Sequence, residues 1–356
     1  MRVAIVYDRV NKFGGAERVL LALHEIFPKA PLFTSVYSEE KAGWANVFPE
    51  IRTSFLQKIP FVKTNHELVP FLMPMAFELF DVKDFDLVIS VTSEFAKNIN
   101  VRNGTHICYC LTPTRYLWSH HADYFGDNFL RKFMTPMIFL LRQVDKRASK
   151  KPDIMIAISS SVQKRIKKYY GRDAKIIFPP VDVGKFASHM KRSKERYFLI
   201  VSRLVKYKRV DLAIEAFNEL GLPLVIIGTG REEKKLRKIA KENVSFLGSV
   251  SDKKVAKYYA DARAFIMPQE EDFGLTAVEA HSFGVPVIAY KAGGALDSVT
   301  KSTGVFFEKQ DKESLVNAIK KFERMKFERK VVRRNAERFS KEKFKREFLQ
   351  LVKRVC

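Results

Sequence analysis

The chain has 356 residues, 46% of them hydrophobic, and 64 Lys+Arg stand against 40 Asp+Glu for a formal net charge of +24. That length suits two domains of about 150 residues each, and the apolar content, with 30 phenylalanines, excludes a disordered or low-complexity chain. Three cysteines exclude a disulfide framework and point to a reducing compartment, while the charge favours an anionic partner: nucleic acid, acidic lipid or a phosphorylated substrate.

The opening "MRVAIVYD" reads as a first β-strand rather than a secretory leader. "KFGGAE" follows, placing Gly14 and Gly15 between that strand and the helix "RVLLALHEIF". Glycines there let backbone approach a ligand, and a helix N-terminus offers free N–H groups to an anion; a structural turn explains the pair equally well. Further short apolar runs are "LFTSVY", "DLVISVT", "THICYCL", "DIMIAIS" and "KIIFPP", with helical patterns between several of them, as at Ser159–Tyr169. Apolar strands alternating with helices indicate a parallel sheet covered on both faces. Asp84 and Asp86 form a D-x-D pattern directly before "LVIS", read as a turn and not as a metal site. Cys108 and Cys110 alternate along a strand and read as small buried hydrophobes. "VPFLMPMAFELF" and "MTPMIFLL" fall short of the ~20 residues a spanning helix needs, so the expectation is a soluble or peripheral protein.

A polar run, "DVGKFASHMKRSKER", reads as a linker, and after it a second strand–helix series begins: "YFLIVSRL", "PLVIIGTG", "NVSFLG", "AFIMP" and "PVIAY". Two such domains would enclose a cleft at the carboxyl ends of their sheets, where ligands bind in doubly wound folds. "VSRLVKYKRVD" puts Arg203 just past a strand and Lys208 before a helix, two cations suited to a diphosphate. Gly228 in "IIGTGRE" would sit on the same rim. "QEEDFGLTAVEAHSFGVPVIAY" carries Glu271 and Glu279 around a helix starting near Gly274, with the amides of Phe273, Gly274 and Leu275 at its tip. One carboxylate would accept hydrogen bonds from sugar hydroxyls and the other from a ribose. The last 49 positions hold 17 basic and 8 acidic residues, and the helix Lys341 to Arg354 is amphipathic.

Nearly the full length resembles family 4 retaining glycosyltransferases of the GT-B fold. The resemblance rests on "GGAE", "SRLVKYKRVDLAIEAFN" and "FLGSVSDKKVAKYYADARAFIMPQEEDFGLTAVEAHSFGVPVIAYKAGGALDSV", with Glu-x7-Glu at Glu271 and Glu279, and on the terminal helix. "CYCLTPTRYLW" and "LVKYKRVDLAIEAFN" are similar to the branch of mannosyltransferases that use GDP-mannose. It implies two Rossmann-like doubly wound α/β domains facing an interdomain cleft. Residues 1–188 would bind the acceptor, 189–338 the nucleotide-sugar donor, and the helix within 339–356 would return to the first domain. It also implies that Arg203 and Lys208 grip the donor diphosphate and that Glu271 holds hydroxyls of the transferred sugar beside the amides of Phe273, Gly274 and Leu275. Glu279 would bind the ribose, Ser249 and Val250 would border the base, and Gly15 would approach the phosphates.

The implied reaction is retaining transfer of a hexose from GDP-mannose to a glycan or lipid-linked acceptor, without metal or other cofactor, in the cytoplasm. The alternatives are a sugar-nucleotide epimerase and a non-catalytic sugar-nucleotide binder. Nucleic acid is set aside as a partner because it leaves Glu-x7-Glu unexplained. The basic charge with the apolar stretches Phe71–Phe80 and Met134–Leu141 fits docking on an anionic bilayer, and buried helices explain the same stretches. Two positions depart from the family pattern. Leu111 stands where relatives usually carry a donor-positioning histidine, with His106, His120 and His121 nearby in sequence. Arg209 replaces the glycine usual after the phosphate-binding lysine.

Overall fold

The computed structural model describes residues 1–63, 69–119, 129–183 and 197–356, without the side chains of 129–134. His120, His121 and the expected linker from 184 onward lie outside the described residues. The chain divides into two compact units, Met1–Pro180 with Phe344–Cys356, and Val181–Lys343.

The first unit is built on seven strands: β1 (Val3–Tyr7), β2 (Leu32–Thr34), β3 (Ile51–Thr53), β4 (Leu87–Thr92), β5 (Thr105–Cys110), β6 (Ile154–Ala157) and β7 (Lys175–Ile176), in the order β3-β2-β1-β4-β5-β6-β7. The pairings are all parallel, with β1 in register on β4 from Val3–Leu87 to Tyr7–Val91. Every residue of β1 and β4 is buried, so these strands read as unbroken apolar runs; helices cover both faces and no alternation is required. β3 was not foreseen: "IRT" is short, half-buried and at the sheet edge, without an apolar run to mark it.

Helices Gly15–Ile26, Met73–Glu78, Phe129–Ala148 and Ser160–Tyr170 belong to this unit. Lys97 and Asp145 form an ion pair of 2.6 Å with exposures of 1% and 0%. Asp145 also accepts from Thr114 Oγ1, Trp118 Nε1 and Tyr170 Oη. Burial pulls the Lys97 ammonium toward neutrality, but the Asp145 charge more than restores it and leaves the pKa raised. The final helix, Lys341–Val355, buries Phe344, Phe348, Leu351 and Val352, one stripe at helical spacing. Phe344 meets Tyr109 of β5 edge to face at 5.7 Å, and Lys345 pairs with Glu25 at 2.9 Å.

The second unit has six strands: β8 (Phe198–Val201), β9 (Leu224–Ile227), β10 (Val244–Phe246), β11 (Ala264–Met267), β12 (Val287–Tyr290) and β13 (Gly304–Phe307), in the order β10-β9-β8-β11-β12-β13. Again the pairings are parallel. Alternate residues feed two cores: Phe198, Ile200, Ala264 and Ile266 one, Leu199, Phe265 and Met267 the other. This is the period-two geometry of a strand buried on both sides. The edge strand β13 was also missed, because "GVFF" follows a polar turn and precedes the charged helix Lys312–Glu323. Strand order reverses between β8 and β11, and in doubly wound sheets that switch point, at the carboxyl ends, is where ligands bind.

Candidate functional site

β8 ends at Val201 and β11 at Met267, so the segments that follow emerge side by side at the switch point. After β8 the backbone is laced to its neighbours: Ser202 N donates to Ile227 O at 3.0 Å, Leu204 N to Thr229 O at 2.9 Å, and Glu232 N to Leu204 O at 3.0 Å. Gly228, at φ 131°, donates its N–H to Gly248 O, and a Cβ there would overlap the Ser202 carbonyl oxygen. Only glycine permits that approach. The three loops following β8, β9 and β10 thus form one fixed rim.

A 3-10 turn, Lys206–Lys208, carries the cations forward. The Lys208 ammonium pairs with the Glu271 carboxylate, which also accepts from Gln269 Nε2 at 3.0 Å. Exposures of 13% for Lys208 and 16% for Glu271 put this pair largely out of water, where charges interact several times more strongly than in bulk. Tyr207 joins the second cation: Arg203 Nη2 donates to its hydroxyl at 2.7 Å, and Lys208 Nζ lies 5.2 Å from its ring centroid. Arg203 itself is exposed.

The Glu271 segment is held from behind by a glycine pair. Gly294 N donates to Glu271 O at 2.8 Å; a Cβ on Gly293, at φ 60°, would overlap that same carbonyl oxygen, and one on Gly294 would overlap Phe273 backbone. Phe273 is buried and meets Phe339 edge to face at 5.3 Å. Gly274, at φ 87°, caps the helix Leu275–Ser282, so the helix tip opens beside Glu271. Glu279 lies inside this helix and accepts from Tyr259 Oη at 3.0 Å, and the Tyr259 ring stacks on Phe283 at 5.5 Å. Val250 packs on the core that contains Tyr259, and Ser249 is exposed.

Of the expected residues, the structure joins Lys208 directly to Glu271, whereas Arg203 is exposed and bonds to the Tyr207 hydroxyl. Gly228 packs on Ser202 at the start of the lysine-bearing loop, the segment Phe273–Leu275 follows Glu271 in the chain, and Glu279 is anchored one turn into the helix. Gly15 belongs to the first unit, where it opens the helix Gly15–Ile26. Sequence reasoning missed Gln269, Tyr207 and Tyr259. The first two lie within two residues of charged positions already singled out, and the third was readable only as one aromatic on the helix Asp252–Asp261.

The corresponding end of the first sheet is also polar. Asp8, buried after β1, accepts from the amides of Ser93, Glu94 and Ala96 and from Thr92 Oγ1. Burial, then the nearby Glu94 charge, raises its pKa. Arg9 pairs with Glu94, and Glu17 accepts from Tyr7 Oη at 2.7 Å. Leu111 follows β5, its amide donating to Thr92 O at 2.8 Å. His106 does not stand in for a histidine there: it begins the same strand, about 16 Å away at 3.3 Å per residue, and its Nε2 lies 2.8 Å from Ser90 Oγ. Burial pulls its pKa down to about 3. Asp86 accepts from Arg2 N at 2.6 Å immediately before β4, as a turn residue does. Among the described residues, no group of three or more His, Cys, Asp or Glu is placed to hold a metal ion, and no helix is long and apolar enough to cross a membrane.

The architecture is shared with solved structures along the whole chain. Sucrose-phosphate synthase from Thermosynechococcus elongatus superposes with a TM-score of 0.76 at 18% identity, covering 99% of each chain. Anabaena HepE, solved in complex with UDP and glucose, gives 0.72 at 17%, again over 99% of each. This is the GT-B fold. A model of the family described as glycosyl transferases group 1 matches residues 184–339. A GDP-mannose-dependent monoacylated alpha-(1-6)-phosphatidylinositol monomannoside mannosyltransferase of Corynebacterium glutamicum is 30% identical over 204 residues, 49% of this chain and 54% of the relative. The O-antigen chain mannosyltransferase C of Escherichia coli is 24% identical over 341 residues, 90% of this chain and 88% of the relative. The chain spans 54% to 56% of the length of the first curated relatives it matches. Residues 184–339 thus match the group 1 glycosyl transferases, and the chain is similar in sequence to GDP-mannose-dependent mannosyltransferases.

Proposed function

We propose that this protein transfers a hexose, with retention, from a nucleotide sugar to a hydroxyl of a glycan or lipid-linked acceptor, and that GDP-mannose is the donor. The observation that supports it most is the Lys208–Glu271 pair at the β8/β11 switch point, beside the helix tip at Gly274. In use, Lys208 and Arg203 take the diphosphate and Glu271 takes hydroxyls of the sugar. The amides of Phe273, Gly274 and Leu275 lie alongside, Glu279 faces the ribose, and Ser249 and Val250 border the base. The names of the Corynebacterium and Escherichia relatives support mannose as the sugar.

The leaving group is a nucleoside diphosphate, already acidic, so no carboxylic acid has to protonate it. As the bond from anomeric carbon to phosphate oxygen breaks, negative charge grows on that phosphate, and the acceptor oxygen bonds to the same carbon from the same face. The acceptor's proton passes to a phosphate oxygen. Fixed cations and amides aimed at the growing charge lower the barrier, about 3 kcal/mol for one preorganised donor. This chemistry proceeds without a metal ion. The net charge of +24 fits work at an anionic membrane surface on the cytoplasmic side.

The test is incubation with a panel of GDP- and UDP-hexoses and a lipid extract, following nucleoside diphosphate release and labelled product. Transfer from GDP-mannose that needs the extract supports the proposal. Turnover without acceptor would instead identify an epimerase. Leu111, apolar at the end of β5, favours a second reading, a binder of sugar nucleotides without turnover; tight binding with no product in any extract would establish it.

A further inference from the structure

Arg209 is one of two described non-glycine residues with positive φ, at φ 50° and ψ 36°. A side chain in this left-handed region is strained, and such a residue persists only where its surroundings over-determine it. Here the surroundings are explicit. Arg209 Nη1 donates to Gln310 Oε1 at 3.2 Å, and its Nε lies 3.4 Å from Asp211 Oδ1. The same Gln310 amide donates Nε2 to Pro268 O at 3.0 Å. Gln310 follows β13, Pro268 follows β11, and Arg209 closes the turn after β8. One side chain therefore ties the lysine-bearing turn to the glutamate-bearing segment, three residues from where Lys208 meets Glu271.

We propose that the Arg209–Gln310–Pro268 chain is a positioning strap that holds Lys208 in register with Glu271 while a donor is bound. This rests on the proposed function above. When the Lys208 ammonium turns to a diphosphate and Glu271 to sugar hydroxyls, their own pair no longer fixes the two segments to each other. The strap uses neither group, so it survives donor binding. It also accounts for an arginine at a position whose backbone favours glycine: the strain of the left-handed conformation is offset by a charge-assisted hydrogen bond across three loops. Arg209 acts through Lys208 and is not itself placed on the reacting atoms.

The test is a double-mutant cycle of Arg209→Gly and Gln310→Leu, read by calorimetry with GDP and by thermal unfolding. Glycine keeps the backbone conformation, and leucine keeps volume while removing both amide bonds. Each single variant is expected to bind GDP about tenfold more weakly, the order of one charge-assisted hydrogen bond. The double variant should be no weaker than either single one, because both break the same chain. The unfolding midpoint of Arg209→Gly should not fall, since strain is relieved there. If Arg209→Gly weakens GDP binding while Gln310→Leu matches the wild type, Arg209 touches phosphate directly and the strap is overturned. Wild-type binding by both variants overturns it as well. Lys208→Ala distinguishes the two proposals: if it binds GDP like the wild type, the donor site itself is misplaced; if it loses binding while both strap variants retain it, only the strap fails.

Discussion

Replacing Glu271 with glutamine separates two roles of one carboxylate. On the proposed function, Lys208 leaves Glu271 to grip a diphosphate, and the Glu271 charge also repels that diphosphate. Two unit charges about 4 Å apart interact by about 4 kcal/mol at the effective dielectric suited to partly buried pairs; with side chains 13% and 16% exposed, little of this is screened. Most of that attraction is recovered when Lys208 meets phosphate, so the net change is a fraction of it. We expect a gain of about 1.4 kcal/mol, or about tenfold tighter binding of GDP. Transfer should move the other way, with kcat falling about 100-fold or more as the sugar hydroxyls lose their charged acceptor. Stability should fall by about 1–2 kcal/mol, since the neutral amide still accepts from Lys208. Calorimetry with GDP, steady-state transfer from GDP-mannose and denaturant unfolding measure the three quantities. A folded Glu271→Gln protein that binds GDP no more tightly than the wild type would refute the reasoning.

Lys97→Met should cost about 3–5 kcal/mol in denaturant unfolding, because Asp145 would be left charged and buried without its partner; the double change Lys97→Met with Asp145→Asn should recover part of this. Gly293→Ala should lower the unfolding midpoint and transfer together, as its Cβ overlaps the Glu271 carbonyl oxygen at a positive φ. Acid should destabilise the fold through two neutral histidines. Burial holds His106 down to about 3 and His281 to about 4; unfolded, each titrates near 6.5. Their contribution is complete above pH 6.5 and is lost as pH falls toward the folded values, at about 1.4 kcal/mol per pH unit for each histidine. For His281 the partners fix the neutral tautomer, Asn335 Nδ2 donating to Nδ1 while Nε2 faces Thr303 O. His281→Asn should therefore flatten the dependence of unfolding free energy on pH between 4 and 6.5.

The doubly wound architecture was legible because strands buried on both faces are written as apolar runs: "VAIVY", "LVISVT" and "AFIM" announce β1, β4 and β11. The edges were not. "IRT" and "GVFF" are short and flanked by charge, and only the sheet beside them makes them strands. At the site, Arg203 and Lys208 stood out as cations between a strand end and a helix, and Glu271 and Glu279 as carboxylates on either side of Gly274. What no spacing could disclose is which charge meets which. Glu271 turns to a lysine 63 positions away, and Glu279 to a tyrosine on the preceding helix. The left-handed conformation of Arg209 is likewise invisible in a composition that simply replaces glycine by a cation. Its bond to Gln310 is a long-range contact that tertiary packing alone creates.

The central claim is that the turn after β8 and the segment after β11 hold a nucleotide sugar by its diphosphate. Calorimetric titration of GDP into the wild type and into Lys208→Ala tests it most directly. Saturable one-to-one binding to the wild type is expected, with a loss of at least about 100-fold in the variant, the scale of removing a charge-assisted contact to phosphate. Equal binding by both proteins, or none by a folded wild type across the GDP and UDP panel, would contradict it.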